Sequence, residues 1–414
     1  MEIDCWDGDD GKNPVVTHGM TLCTKVLFKD VIEEIRNHAF APPADNHYPV
    51  IVSIEMHCTA KYQKLMARIV TEVLGHHLYT HDASAPFPSP EDLKHKVLLK
   101  GDRLESGQDA DSNLDDSLHG DDESHSPHLR GSMKNLAAKP KHDKIVQEWS
   151  DLIALPANKQ KNVSLKDINA ELQSPKFKMQ SYAEAKALKM FEKKKEDFLD
   201  FNLNMLSRIF PAGTRVDSSN MNPVPYWSAG CHAVALNFQK GDLGLSLNHG
   251  KFRENAKLGY VLKHPSQRRS GIESASCRLN MWVLSCQRLP PKHDKGKDVL
   301  DVYVRVEIHG TGNDSKEART KTVNDNGFNP TFGQSRGGVL SFDIKVDQLL
   351  STENVCMDVQ GLGFCSRALQ IVRPCEMRVQ SDDRCVTRLR AHIYRDWAQE
   401  CLHKDRQETG EACH

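Results

Sequence analysis

The chain opens with two carboxylates whose spacing suits one face of a strand. In the stretch MEIDCWDG, Glu2 and Asp4 lie two residues apart, so on a strand both side chains point to the same side. Two carboxylates held close together repel each other, and burying them is costly. We therefore expect this pair either to face solvent or to enclose a positive partner.

A third carboxylate and an imidazole could join this pair. Glu55 comes at the end of the β-branched run VIVSIE, and the carboxyl ends of parallel strands collect at the mouth of a barrel or sheet. Ligation by the oxygen atoms of Glu2, Asp4 and Glu55 would suit a hard cation such as calcium or magnesium. His18, in a Thr-His-Gly turn, could reach the same mouth. Taken singly, each of these residues is better explained as a solvated surface residue, and only their combination indicates a site.

The elements that would position these side chains alternate between strand and helix. The strand-like runs VVTHG, YPVIVSIEMHC and KHKVLLKG are separated by two stretches with a helical stripe of apolar residues, the second ended by Gly75. Strand and helix in this order predict a parallel sheet with crossover helices. The same rhythm resumes at WSDLIALP and continues through HAVALNFQ.

An acidic segment interrupts this pattern. Residues 105–123 contain eight acidic residues and no basic one, mixed with Ser, Gly and Asn. Such a composition buries too little apolar surface to offset the entropy of ordering, so it predicts a disordered linker. Because the strand–helix rhythm continues afterwards, we expect the linker to interrupt one α/β unit.

After Pro265 the sequence predicts strands alone. In DVYVRVEIHG, the residues from Val302 to Ile308 alternate cleanly between apolar and polar. This alternation is typical of half-buried antiparallel sheet, as in a β-sandwich.

The bulk composition narrows the function classes. A length of 414 residues predicts two or three domains, and a formal net charge of -1 argues against nucleic-acid binding by overall electrostatics. The sequence contains no apolar run of membrane-spanning length and no stretch typical of a signal peptide.

Taken in order, these motifs resemble the two catalytic boxes of eukaryotic phosphoinositide-specific phospholipase C of the delta type. MEIDCWDG, THG, SIEMHC and VLLKG match the first box, while SYAEAKAL, LSRIFPAGTRVDSSNMNP, GCHAVALNFQ and GYVLKHP match the second. The later stretches VEIHG and NGFNP resemble the family's C2-type domain. The resemblance implies an α/β fold, a split TIM-like barrel followed by a C2-type antiparallel β-sandwich.

The resemblance also implies a domain order. We expect a first catalytic box at 1–104, the acidic linker at 105–148, a second box at 149–265, a sandwich at 272–365 that is degenerate at its end, and an irregular tail at 366–414. In the family, a first catalytic histidine and an adjacent asparagine lie on a strand before MEID. We therefore expect an N-terminally truncated, incomplete barrel whose first strand is missing.

Roles for individual residues follow from the resemblance alone. The family binds one catalytic calcium ion, whose carboxylate ligands match Glu2, Asp4 and Glu55. Glu55 also matches a general base for the inositol 2-hydroxyl, and His18 matches a histidine that stabilises charge on the phosphorane. The positions that match substrate-binding residues of the family are Lys100, Ser181, Arg208 and Phe210, the last in place of a usual tyrosine.

The implied function is calcium-dependent hydrolysis of phosphatidylinositol 4,5-bisphosphate to diacylglycerol and inositol 1,4,5-trisphosphate, through a cyclic phosphate, in lipid signalling. The implied partners are the lipid headgroup and the anionic cytoplasmic surface of the membrane, and no nucleic acid. The implied localisation is cytoplasmic and peripheral to the membrane. Asp102 stands where the family commonly has a second phosphate-binding lysine. Two alternatives stay open: a catalytically impaired inositide-binding or scaffold protein, and a fragment of an active enzyme.

Overall fold

The computed structural model of the chain describes most of the two predicted boxes and part of the sandwich. The described residues are 1–19, 23–41, 47–82, 85–86, 88–104, 144–158, 165, 176–253, 255–263, 265–268, 276–287, 301–311, 315–333, 339–345, 355–359, 365–366, 375–381 and 385–397. The chain forms two compact units, one of Met1–Lys186 with Asp200–Ala212 and one of Ala187–Leu199 with Gly213–His414.

A seven-stranded sheet lies at the centre of the first unit, in the order β3-β2-β1-β4-β6-β5, with β7 also paired to β6. Its strands are β1 (Glu2–Asp7), β2 (Pro14–Val16), β3 (Val26–Leu27), β4 (Val50–His57), β5 (Leu78–Tyr79), β6 (Val97–Gly101) and β7 (Ile153–Pro156). Strands β1, β4, β6 and β7 run parallel to their neighbours in this series, as predicted, whereas β2 and β3 add an antiparallel extension beside β1.

Helices cover this sheet. They are α1 (Phe28–His38), α2 (Ala60–Leu74) and α3 (Gln147–Ser150), with a 3-10 turn at Gly75–His77. The buried side chains of α1 and α2, such as Ile32 and Met66, pack with Val52 and Ile54 of β4 in one apolar core. Helix α2 ends at Gly75, whose φ of +50° favours glycine, and this is the stop that the sequence predicted.

A further pair of parallel strands follows β7 in the chain. Strands β8 (Lys176–Ala183) and β9 (Met205–Phe210) pair in parallel. Between them the chain forms α4 (Glu184–Lys193) and α5 (Lys195–Asn204).

The acidic linker lies mostly outside the described residues, which resume at residue 144. There the backbone N–H of Val146 donates to the Gln63 side chain of α2 at 2.9 Å, and α3 begins at Gln147. Trp149 is buried in the same apolar core as residues of α2, so this segment packs against α2. The prediction of a disordered linker up to residue 148 is therefore wrong for residues 144–148.

The second unit contains short helices and then a sandwich. Its further elements are α6 (Val224–Ser228), β10 (Ala233–Val234), α7 (Leu243–Lys251), a 3-10 turn at Asn255–Lys257, α8 (Pro265–Arg268), β11 (Ser276–Gln287), β12 (Val304–Ile308), β13 (Lys316–Arg319), β14 (Val339–Lys345), β15 (Val355–Val359), β16 (Cys365–Ser366), β17 (Cys375–Ser381) and β18 (Cys385–Trp397). The antiparallel strands form two sheets of four, in the orders β14-β11-β18-β17 and β13-β12-β15-β16. In β12, Val304, Val306 and Ile308 are buried, which confirms the predicted alternation.

The last part of the chain differs from the prediction of an irregular tail from residue 366. Strand β18 pairs with β11 along most of its length and also with β17. The prediction is wrong for these two strands. The stretch RLRAHI in this strand alternates between polar and apolar residues, so the sequence contained a strand signal that the prediction did not use.

Among the described residues, the helices are too short or too polar to cross a bilayer.

Candidate active site

Three carboxylates share one face of the parallel pair β1–β4. Asp4 lies directly opposite Glu55 in the register, and Glu2 lies opposite Ser53. Partial burial first, and then the negative charges of Glu55 and Glu2, raise the pKa of Asp4 to about 6. The structure therefore places Glu55 beside Asp4 in the register, with Glu2 within electrostatic range of Asp4.

The protein itself supplies one positive partner for the opening carboxylates. Arg208 of β9 forms an ion pair with Glu2, although the two residues are far apart in the sequence. Its side chain is only 9% exposed, and its guanidinium carbon lies 5.2 Å from the centre of the Phe210 ring. Arg208 is thus a nearly buried cation that contacts both a carboxylate and an aromatic ring.

A second cation lies on β6. Lys100 pairs in register with Ser53, and its Nζ atom lies 3.5 Å from the hydroxyl oxygen of Ser181 on β8. Lys100 is buried; this burial, and then the charge of Arg208, lower the pKa of its ammonium group, while Glu2, Asp102 and Glu55 act in the opposite sense. Ser181 is in turn the register partner of Arg208. The four residues that match the family's substrate contacts are therefore linked in one array.

Glu55 is held by a hydrogen bond from a residue that the sequence analysis missed. The Nε2 atom of His57 lies 2.9 Å from Glu55 Oε1, and this hydrogen bond is the largest of the effects that lower the pKa of the Glu55 carboxyl. The bond outweighs burial, which acts in the opposite direction. The signal was present in SIEMHC, because residues two apart on a strand share a face.

His18 lies at the edge of this array. It is exposed, and its charge lowers the pKa of both Asp4 and Glu55, which places the imidazole within electrostatic range of the carboxylates. The residue before it, Thr17, is anchored to β1, because its backbone N–H donates to the carbonyl oxygen of Asp4 at 3.1 Å.

The chemistry of the donors fits a hard divalent cation. Glu2, Asp4 and Glu55 offer oxygen ligands only, and a cation would offset both the burial of Asp4 and its repulsion by Glu55 and Glu2, which together raise its pKa. Within the described part of the chain, no three His, Cys, Asp or Glu side chains are already arranged as a metal-ligand set. The carboxylate of Glu2 instead contacts Arg208, and that of Glu55 contacts His57.

The fold and the site define a class of protein: a parallel α/β unit with buried cations and clustered carboxylates on one face, in a chain that continues into an antiparallel sandwich. Comparison with protein families agrees with this description. The X domain of phosphatidylinositol-specific phospholipase C matches residues 1–103, its Y domain matches residues 156–266, and the C2 domain matches residues 277–358.

The chain belongs to the phosphoinositide-specific phospholipase C family. It is 36% identical over 364 residues to human 1-phosphatidylinositol 4,5-bisphosphate phosphodiesterase delta-1, covering 80% of this chain and 45% of that protein. It is also 34% identical over 386 residues to mouse inactive phospholipase C-like protein 2, covering 88% of this chain and 33% of that one. The chain thus spans less than half the length of these relatives.

A solved structure confirms the predicted fold class. The crystal structure of S. officinalis PLC21 matches with a TM-score of 0.71 and 28% identity, over 96% of this chain and 50% of that one. The fold is therefore an α/β, TIM-like barrel of the phospholipase C type followed by a C2-type β-sandwich.

Proposed function

We propose that the chain carries the hydrolytic site of a calcium-dependent phosphoinositide phospholipase C. Its substrate would be phosphatidylinositol 4,5-bisphosphate, and its products would be diacylglycerol and inositol 1,4,5-trisphosphate, formed through a cyclic phosphate. The observation that carries this proposal is the array on one face of the parallel strands. There the buried cations Lys100 and Arg208 lie within electrostatic range of the carboxylates of Glu2 and Glu55.

Calcium would be held by the carboxylates of Glu2, Asp4 and Glu55. When bound, the ion would lower the pKa of the inositol 2-hydroxyl and neutralise charge on the phosphate. Bound calcium would favour the ionised form of Asp4, whose pKa of about 6 is raised first by burial, and Glu2 would exchange Arg208 for the ion.

Glu55 would accept the proton of the attacking 2-hydroxyl. Its lowered pKa keeps the carboxylate ionised at neutral pH, and the hydrogen bond from His57 fixes one of its two oxygens. A base of low pKa abstracts a proton less readily, so geometry rather than basicity would be its main contribution. His18, exposed at the edge of the array, would donate to the charged oxygens of the phosphorane.

The headgroup phosphates would bind to Lys100, Ser181 and Arg208. Arg208 presents a planar donor group suited to two phosphate oxygens, and release of Glu2 would make that group available. The ring of Phe210 beside Arg208 would pack against the inositol ring. Asp102 acts electrostatically on Lys100 and would weaken phosphate binding there.

A second function, inositide binding without turnover, has its own support. One relative at 34% identity is named as an inactive phospholipase C-like protein, and Asp102 adds negative charge next to a phosphate-binding lysine. In that case the chain would serve as a scaffold. Either function would be exercised at the anionic cytoplasmic surface of a membrane by a peripheral protein of the cytoplasm.

The test uses the full chain and phosphatidylcholine vesicles that contain phosphatidylinositol 4,5-bisphosphate. Release of inositol trisphosphate is measured in buffered calcium and in a chelator, and sedimentation with the vesicles is measured in parallel. We expect release in calcium, none in the chelator, and a decrease of roughly 100-fold to 10,000-fold in Glu55→Gln.

The outcomes separate the two functions. Vesicle binding that requires the bisphosphate lipid and is lost in Lys100→Met, without product release, would support the binding function and exclude hydrolysis. Absence of both product release and lipid-dependent binding would contradict the proposal as a whole.

A further inference from the structure

A stacked pair of rings lies beside the candidate base. The imidazole of His57 and the indole of Trp6 have their centroids 4.1 Å apart and their planes inclined by 12°. The two residues are direct register partners on β1 and β4, two positions beyond the partners Asp4 and Glu55. The stack is therefore the next layer of side chains above the carboxylates on the same face of the sheet.

The stack restricts the orientation of the His57 ring, which donates a hydrogen bond to Glu55. Nε2 of His57 lies 2.9 Å from Glu55 Oε1, and because an ionised carboxylate only accepts, the proton must lie on Nε2. The ring is 16% exposed, and a flat contact with an indole restricts rotation about its side-chain bonds. Glu55, at 26% exposure, would otherwise be able to swing towards solvent.

The same indole supports the turn that carries His18. A methyl group added at Gly19 would lie 2.4 Å from Cζ2 of Trp6, so the backbone of Gly19 rests directly against the indole. A side chain at this position would displace the turn or the ring. Trp6 is thus packed between the residue after His18 and the partner of Glu55.

We propose that Trp6 and His57 are positioning residues of the site. Trp6 holds the imidazole of His57 in the plane from which it donates to Glu55, and it supports the His18 turn through Gly19. The two candidate catalytic residues are therefore held at a fixed separation by one indole. This inference rests on the proposed function for the roles of Glu55 and His18, but its geometry can be tested separately.

Two substitutions at His57 separate hydrogen bonding from packing. His57→Phe keeps a ring against Trp6 but removes the donor, whereas His57→Gln keeps a side-chain N–H at similar reach and loses the imidazole. We expect His57→Phe to lower kcat about 10-fold to 100-fold with KM changed less than about 3-fold, and His57→Gln to recover most of that loss. A matched control is His38→Phe, because His38 Nε2 lies 3.0 Å from Glu34 in an exposed pair without a role in the site. It should leave kcat unchanged.

A spectroscopic measurement tests the geometry without turnover. In protein with ¹⁵N-labelled histidine, at one fixed pH, the signals of His57 are identified by their loss in His57→Gln. We expect a proton on Nε2, a shift of this signal in Glu55→Gln, and a displacement of the ring protons in Trp6→Leu as the indole's ring current is removed.

The results distinguish failure of the inference from failure of the proposed function. An active wild-type chain in which His57→Phe has normal kcat would overturn the positioning role. A wild-type chain without hydrolysis would remove the proposed function, and the ¹⁵N spectrum would then decide: a signal insensitive to Glu55→Gln and to Trp6→Leu would refute the inference, and a sensitive one would support it.

Discussion

Strands β6 and β12 differ in the burial of their polar residues. All five residues of β6 are buried, including Lys100, because a strand inside a parallel sheet is covered on both faces. In β12 the buried valines and isoleucine alternate with Arg305 and Glu307, which face outward. A charge on β12 therefore needs no partner in the core.

The difference shows where a charged residue is informative. The lowered pKa of Lys100 indicates that the fold holds this ammonium group at an energetic disadvantage, which only a ligand or a neighbouring carboxylate offsets. Arg305 forms a 3.1 Å ion pair with Glu307 on the surface, where such pairs contribute little to stability. A buried charge such as that of Lys100 is therefore a candidate for ligand binding, whereas a surface charge such as that of Arg305 is explained by contact with solvent.

In this comparison of β6 with β12, the largest effect is expected from Lys100→Met. Loss of the ammonium group should weaken binding of inositol 1,4,5-trisphosphate about 30-fold to 100-fold, roughly 2–3 kcal/mol, measured by calorimetry. Stability to urea should be unchanged or increased, because a desolvated charge is replaced by an apolar side chain of similar length.

Lys96→Met provides the matched control for this substitution. Lys96 immediately precedes β6, and its Nζ donates to the carbonyl oxygen of His76, remote from the carboxylates. Headgroup affinity should be the same as in the wild type. Equal losses in the two variants would indicate a general effect of positive charge and would contradict a specific role for Lys100.

A smaller effect, confined to stability, is expected from Val304→Ala in β12. Val304 is fully buried, so removal of two methyl groups should lower the local free energy of opening by about 2 kcal/mol. Hydrogen exchange of the β12 amides, followed by mass spectrometry, measures this change. Arg305→Gln, one residue further on, should change it by less than about 0.5 kcal/mol. A loss in Arg305→Gln as large as that in Val304→Ala would contradict the contrast between the two faces.

The smallest effect concerns Asp4 in the absence of calcium. Its pKa in the folded chain, about 6, lies above its ordinary value of 3.8, so its contribution to stability is fully present at low pH and is lost as pH rises through about 6. Asp4→Asn removes this loss. The variant should match the wild type near pH 4 and be more stable by about 1–2 kcal/mol above pH 7, after allowance for solvent screening.

Urea unfolding at several pH values, in a chelator, measures the Asp4 difference. Addition of calcium should reverse the order above pH 7, because the wild type gains stability from a ligand that the variant binds weakly. A variant less stable than the wild type in the chelator above pH 7 would contradict a raised pKa of Asp4 in the folded chain.

Much of the local structure could be predicted from the sequence. The β-branched run of β4, the stop at Gly75 and the alternation in β12 each follow from short-range rules, and all three are present. The pairing of β18 with β11 was missed because the partner strand is about a hundred residues away, and strand pairing over that distance is not a local property of the sequence.

The sequence by itself determined that Glu2 and Asp4 share a face and that they must either face solvent or have a positive partner, because strand periodicity and like-charge repulsion are local properties. Only the tertiary structure decided which partners they have. Arg208 reaches Glu2 from β9, the register of β1 on β4 sets Asp4 against Glu55, and the stack of Trp6 on His57 follows from that same register. Strand register depends on packing across the whole sheet, and no short stretch of sequence contains that information.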